Sequence, residues 1–177
     1  MPIITLGEAE GVPDALSTTY FNFIFGNIPL VGNSRNTELL TIKCQTAVIP
    51  GFSNESFEVN FAGYARKFRG RKMYPRSISI TWFEDATMGT HKTLRQWHEA
   101  IVGTRSGASL GTIDDYSITP VLQIFDQANN LVDQAEFYRF FINDVPDTSL
   151  SSENSSSMQV SCTFNYDYVF FQDVTML

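Results

Sequence analysis

His91 and His98 are the two histidines of this 177-residue chain, seven residues apart in HKTLRQWHEAIVG. On a helix that spacing sets them two turns apart on a similar face. A helical metal pair wants a spacing of four, as in His-Glu-x-x-His, and no cysteine stands near them. A helix-surface or packing role is expected. Glu84-Asp85 and Asp114-Asp115 are adjacent carboxylates. Neighbouring side chains on a strand point to opposite faces, so neither pair makes an acid/base couple unaided. Glu84-Asp85 precedes a helix, where negative charge suits the dipole. No G-x-S-x-G elbow, Walker A or G-x-G-x-x-G motif is present. These residue types point to no enzyme, no metal and no cofactor.

The strong charge feature is basic. Arg66, Lys67, Arg69, Arg71, Lys72 and Arg76 are six of the twelve Lys and Arg, gathered within eleven residues and interleaved with Tyr64, Phe68 and Tyr74. Such a segment, read as a loop over 62–76, has three uses. It can track a phosphate backbone and stack bases, it can be a solvated loop, or it can dock on an acidic surface. The chain is −7 overall, so the remainder is −13 once the +6 of this segment is set aside. Complementary contact with another protein surface is the favoured reading. The negative total argues against tight nucleic-acid binding, which draws its affinity from Lys and Arg.

The elements around these residues are mostly strands. Aromatic residues make up 14% and charged residues 18%, a balance that favours strands and leaves much surface able to meet copies of itself. The length suits a single domain over 1–177. Residues 1–17 hold Gly7, Gly11 and Pro13 without a period and read as an N-terminal arm. Phe21, Phe23 and Phe25 alternate in a first strand, and a loop is expected over 26–36. Leu40, Ile42, Cys44 and Val48 suggest a strand over 39–48. Phe57, Val59 and Phe61 follow, then Ile78, Ile80 and Trp82. Leu94, Trp97, His98 and Ile101 fit one helix over 90–103, with Thr87 or Thr90 as N-cap. Residues 104–115 read as loop. Strands over 117–125 and 134–142 flank a turn, and 147–157 is a Ser-rich loop. The alternation from Met158 to Phe170 predicts a strand of roughly 40 Å. It either runs past its own sheet toward a neighbour or bends in two. Trp82, Trp97, Phe164 and Tyr166 are the expected core anchors. Cys44 and Cys162 are expected to be unconnected core thiols, with a disulfide as the alternative. The first residues lack a basic n-region, and the apolar window over 20–32 is broken by Asn22, Asn27 and Pro29. Neither a signal peptide nor a membrane span is expected, and folding in a cytoplasm is.

CQTAVIPG, then FEVNFAGYARKFRGRKMYPRSISITWFED, then HKTLRQWHEAIVG, resemble the core of the tail tube proteins of contractile-tailed bacteriophages of the T-even type. Trp82, Glu84-Asp85 and Trp97 stand at the aromatic strand, acidic turn and helix aromatic of that pattern. The turn NDVPDTSL and the aromatic closing strand agree with it, and the likeness covers about 20–171. It implies a β-sandwich or barrel with one flanking helix, closed into a hexameric ring. Rings would stack into a hollow tube within a sheath and meet baseplate and tape-measure proteins. DNA would pass without specific binding. The implied location is the virion, after assembly in the host cytoplasm. A baseplate tube-initiator, a tail terminator and a type VI secretion tube protein share the pattern. A β-barrel binding single-stranded nucleic acid is the alternative of a different class.

Overall fold

In the computed structural model, residues 16, 17, 19–29, 34–103, 107, 111–148 and 157–173 are described. The chain runs β1 (Phe21–Ile24), α1 (Ser34–Ile42), β2 (Cys44–Thr46), β3 (Ser53–Phe61), β4 (Tyr64–Met73), β5 (Ser77–Phe83) and α2 (Gly89–Ile101). It continues α3 (Ile113–Tyr116), β6 (Val121–Phe125), β7 (Leu131–Tyr138), β8 (Phe141–Asp144), β9 (Gln159–Asn165) and β10 (Tyr168–Asp173). The arm expected over 1–17 lies outside the described residues except for Leu16 and Ser17, and so do 149–156 of the Ser-rich loop.

Two four-stranded antiparallel sheets carry the core. One has the order β1-β6-β7-β10 and the other β2-β5-β9-β8, while β3 and β4, among the described residues, pair only with each other. The alternation in β5 buries Ile78, Ile80 and Trp82 and leaves Ser77, Ser79 and Phe83 outward. Its register with β9 sets Ile78 beside Phe164, Ile80 beside Cys162 and Trp82 beside Val160. The first sheet answers with Phe23, Leu122, Ala135, Phe137 and Val169. Trp82, Trp97 and Phe164 are fully buried, and Tyr166 nearly so. Phe164 meets Trp82 at 5.9 Å and Trp97 at 5.8 Å between ring centres. Both indole N–H groups find carbonyls, Trp82 at Leu40 (2.8 Å) and Trp97 at Tyr116 (3.1 Å), as buried indoles require.

Four expectations change. First, 34–42 is helix, so three helices are present among the described residues where one was expected. Only Cys44–Thr46 remains of the strand over 39–48; Leu40 is buried, but Ile42 and Val48 face solvent. The 104–115 loop likewise contains the start of α3, whose Asp115 carboxylate takes the Thr112 N–H at 2.7 Å. Second, the buried face of α2 is Thr90, Thr93, Leu94 and Trp97, with His98 exposed. Third, the basic segment is strand β4. Fourth, the long closing strand bends at Tyr166-Asp167 and changes sheet, pairing with β5 and β8 before the bend and with β7 after it. The run from β7 to β8 makes the opposite crossing at Arg139. The two bends lock together: Asp167 N–H donates to the Tyr138 carbonyl at 3.0 Å and Tyr138 stacks on Tyr168 at 4.7 Å. Strands that switch sheets in this way make the corners of a sandwich. The span from Met158 to Phe170 is therefore used up within one subunit.

Candidate assembly surface

The turn at the end of β3 is Ala62-Gly63, with φ of 46° and 91°. Positive φ at both central residues is what a two-residue type I′ hairpin turn needs, and Gly63 takes its place without a Cβ penalty. Register then sets Phe61 beside Tyr64, Val59 beside Arg66, Phe57 beside Phe68, Glu58 beside Lys67 and Ser56 beside Arg69. One face of the hairpin therefore carries Phe57, Val59, Phe61, Tyr64, Arg66 and Phe68. The other carries Ser56, Glu58, Asn60, Lys67 and Arg69. Phe57 stacks on Phe68 at 5.7 Å, and Phe61 meets Phe68 edge-on at 6.5 Å. Nearer the root the register shifts, and a Cβ on Gly70 would lie 2.9 Å from the Glu55 carbonyl oxygen. Only glycine allows that approach.

The basic residues divide into two groups. Arg71 pairs with Glu55 at 2.9 Å, and the Lys72 ammonium sits 3.9 Å over the Phe52 ring. Phe52 in turn meets Phe171 of β10 at 6.4 Å, which ties the hairpin root to the first sheet. Arg66, Lys67, Arg69 and Arg76 make no ion pair with a described residue. Arg76 stands apart, beyond the hairpin, with φ of 59°. The structure thus brings five of the six predicted residues onto one strand and leaves Arg66, Lys67 and Arg69 available at its distal half.

The solvent face of the first sheet is different in kind. Cross-strand register aligns Asn22, Gln123, Gln134 and Gln172 in one row over all four strands. Glu136 accepts weakly from Gln134 and Gln172 and takes the Tyr138 hydroxyl at 3.2 Å. No lysine or arginine lies on these four strands. The row ends at β1 and β10, each of which pairs on one side only among the described residues.

The acidic candidates have structural partners. Glu84 closes the helix from the end of β5, its carboxylate accepting the N–H of Thr90 (3.1 Å) and of His91 (2.7 Å). The expected threonine caps are not used; Met88 holds the cap position with φ of 53°. Buried Lys43 lies 2.5 Å from Asp85 and 3.9 Å from Glu84. The Lys43 ammonium, then the Thr87 hydroxyl, holds the Asp85 carboxyl well below its ordinary range. Asp114 pairs with Arg139 at 3.4 Å. His91, Arg95 and His98 line a cleft opposite Asp144 and Asp147, and no cluster of three metal-ligating residues occurs among the described residues. Cys44 and Cys162 are both free thiols, each pushed up to about 12 chiefly by burial. No described helix is long and apolar enough to cross a membrane.

The chain belongs to the phage tail tube protein family, whose pattern it matches over residues 13–172. No curated protein matches it by sequence. Its fold is similar to a chain of the sheath-tube complex of an extracellular contractile injection system, PVC, in the extended state. That match has a TM-score of 0.66 and 13% identity, covering 96% of this chain and 99% of the other. A chain from the anti-feeding prophage tube-terminating cap aligns at 0.64 with 13% identity over 93% and 95%. One from the anti-feeding prophage baseplate aligns at 0.65 with 13% identity over 92% and 99%.

Proposed function

We propose that this chain is a structural subunit of the inner tube of a contractile tail, a single tube domain that closes with five copies into a ring. Rings then stack into a hollow conduit for DNA, inside a sheath and upon a baseplate. The carrying observation is the family match over 13–172. Three features of the subunit support it. The sheet edges at β1, β10, β2 and β8 have no strand partner on one side among the described residues, and such edges need covering. The hairpin carries an aromatic face that no described element covers. The amide row offers a surface without cations, over which phosphates slide rather than stick. Head-to-tail contacts around a rotation axis close a ring, and end-to-end contacts leave an open polymer. The role is structural, and the particle tail is the location.

The folds of the cap and baseplate chains align as well as that of the sheath-tube chain. A single ring at one end of the tube is therefore the second reading. Electron microscopy of the purified protein separates them: long hollow rods are expected, and isolated rings at every concentration would favour a cap or initiator. Monomers that bind short single-stranded DNA with a steep salt dependence would support the nucleic-acid reading instead.

A further inference from the structure

A root groove of about 730 Å³ opens beside β1 and β2, where the chain leaves the second sheet for the hairpin. Both strands lack a partner on one side among the described residues. Leu16, Tyr20, Val48, Ile49, Leu122 and Ile124 line the groove, and the described lining contains no charged residue. Leu16, Tyr20, Val48 and Ile49 are each about half exposed. An apolar groove between two unpaired edges calls for a cover. The chain carries a segment suited to it. Pro2-Ile3-Ile4-Thr5-Leu6 is an uncharged run, and its β-branched residues favour an extended strand. Residues 7–15, GEAEGVPDA, then hold Gly7, Gly11 and Pro13 and the three charges Glu8, Glu10 and Asp14. The tether ends at Leu16, in the groove lining itself. Tyr20 fixes that entry point, its carbonyl accepting the Phe125 N–H at 2.9 Å.

We infer that residues 2–6 dock in the root groove of their own subunit while it is dispersed, covering the edges of β1 and β2 until a neighbouring copy takes them. The inference rests on the tube reading and names what holds its assembly back. Chemistry selects the occupant. The run and the groove are both uncharged, and the acidic residues sit on the tether, outside the apolar lining. Reach allows it. The chain from Leu6 to Leu16 spans up to about 35 Å when extended, and its glycines leave it flexible. Tethering favours the chain's own segment over that of another copy, because the effective concentration of a short tethered segment is in the millimolar range. The backbone mode is addition of an extended segment at a sheet edge, with alternate side chains entering the groove. The contact is also reversible. A run of this length buries few side chains, against the entropy of ordering both run and tether. A neighbouring subunit, which brings a whole surface to the same edges, displaces it. The dispersed subunit is then competent to assemble only in the minor fraction whose groove is open, and its apparent affinity for other copies falls by that fraction.

Disulfide trapping and assembly measurements on the full chain test this. Cys44→Ser first removes the thiol already in the groove. In that background the pair Ile4→Cys, Val48→Cys should oxidise in dilute solution to a disulfide within one chain. The pair Ile4→Cys, Asn143→Cys places its second thiol on β8, at the opposite edge of the second sheet, and should not. The oxidised Val48→Cys form should stay dispersed, and reduction should restore its assembly. The double variant Ile4→Ser, Leu6→Ser should keep the fold and lower the concentration at which rings and tubes appear by about tenfold, the shift expected when the segment fills the groove about nine-tenths of the time. Equal disulfide yields at positions 48 and 143, or covalent dimers in place of cross-linked monomers, would overturn the docking and leave the tube reading standing. So would a serine variant that assembles no more readily than wild type, or a locked subunit that assembles normally. Loss of assembly in the serine variant would place the segment between copies and equally overturn the inference. Wild type and serine variant that both stay monomeric at every concentration would remove the tube reading, and the restraint with it.

Discussion

Phe164 in the sandwich touches Phe25, Trp82, Trp97 and Phe140 and is fully buried, whereas Phe68 in the hairpin stacks on Phe57, meets Phe61 and faces solvent. Both regions alternate aromatic with polar residues. In the sandwich, a second sheet and α2 close over the aromatic side. In the hairpin, nothing described in the same subunit does. The stability of the first is a property of one chain, and that of the second waits for a partner. Two strands with equally good local patterns therefore contribute to different things, one to folding and one to assembly.

The largest expected effect lies in the sandwich. Trp97→Ala should lower subunit stability by about 3–5 kcal/mol, because it empties a fully buried site beside Phe164. Urea unfolding of the dispersed subunit measures it, and a loss below about 1 kcal/mol would break the contrast between the regions. Next comes the helix start. Glu84→Ala removes the acceptor for the Thr90 and His91 N–H groups while Asp85 still holds Lys43. The cost should be about 2 kcal/mol, the upper range for a lost helix cap.

Asp85 adds a pH signature. Its folded pKa is depressed below the ordinary 3.8, so its stabilisation is present above about pH 4 and is lost as pH falls through the lower folded value. The stability gap between wild type and Asp85→Asn should be constant from neutral pH to about pH 4 and shrink below it. A gap that instead closes between about pH 5 and 7 would assign it to another group.

Tyr166 offers a smaller, opposite effect. Its buried hydroxyl has the Arg76 backbone beside it but no well-formed hydrogen bond, so Tyr166→Phe should be neutral or stabilising by up to about 1 kcal/mol. A loss of more than about 1 kcal/mol would reveal a partner for that hydroxyl. The smallest effect on the subunit is expected in the hairpin. Changing Arg66, Lys67 and Arg69 together to Glu should move stability by less than about 0.5 kcal/mol, as for other exposed sites. The same variant should fail to form tubes. Normal tubes from it would return these cations to a solvated role.

The legible parts of the fold were those where period and environment agree. Ile78, Ile80 and Trp82 alternate and are buried; Leu94 and Trp97 are spaced for a helix and lie inside. Helix α1 was hidden because Leu40, Ile42 and Cys44 imitate a strand, and only Leu40 of the three is deeply buried. The bend at Asp167 was hidden because NYDYVFF has apolar residues at both parities. Tyr166 and Val169 are the buried members, and the switch between them marks the change of sheet. The hairpin reads as a loop in the sequence because charge density and two glycines mask a clear alternation of Tyr64, Arg66 and Phe68. That alternation was the available signal for its aromatic face. The root groove has no local signature, since Leu16, Val48 and Ile124 meet only through the fold.

Hydrogen exchange, compared between dispersed subunits and assembled particles, tests most directly whether the hairpin is completed by another copy. The account predicts that β3 and β4 amides exchange rapidly in the dispersed subunit and slow by about a hundredfold or more on assembly, a change of about 2.7 kcal/mol. The amides of β5 and β9 should be protected in both states. Equal protection of β3 and β4 in the two states would contradict it.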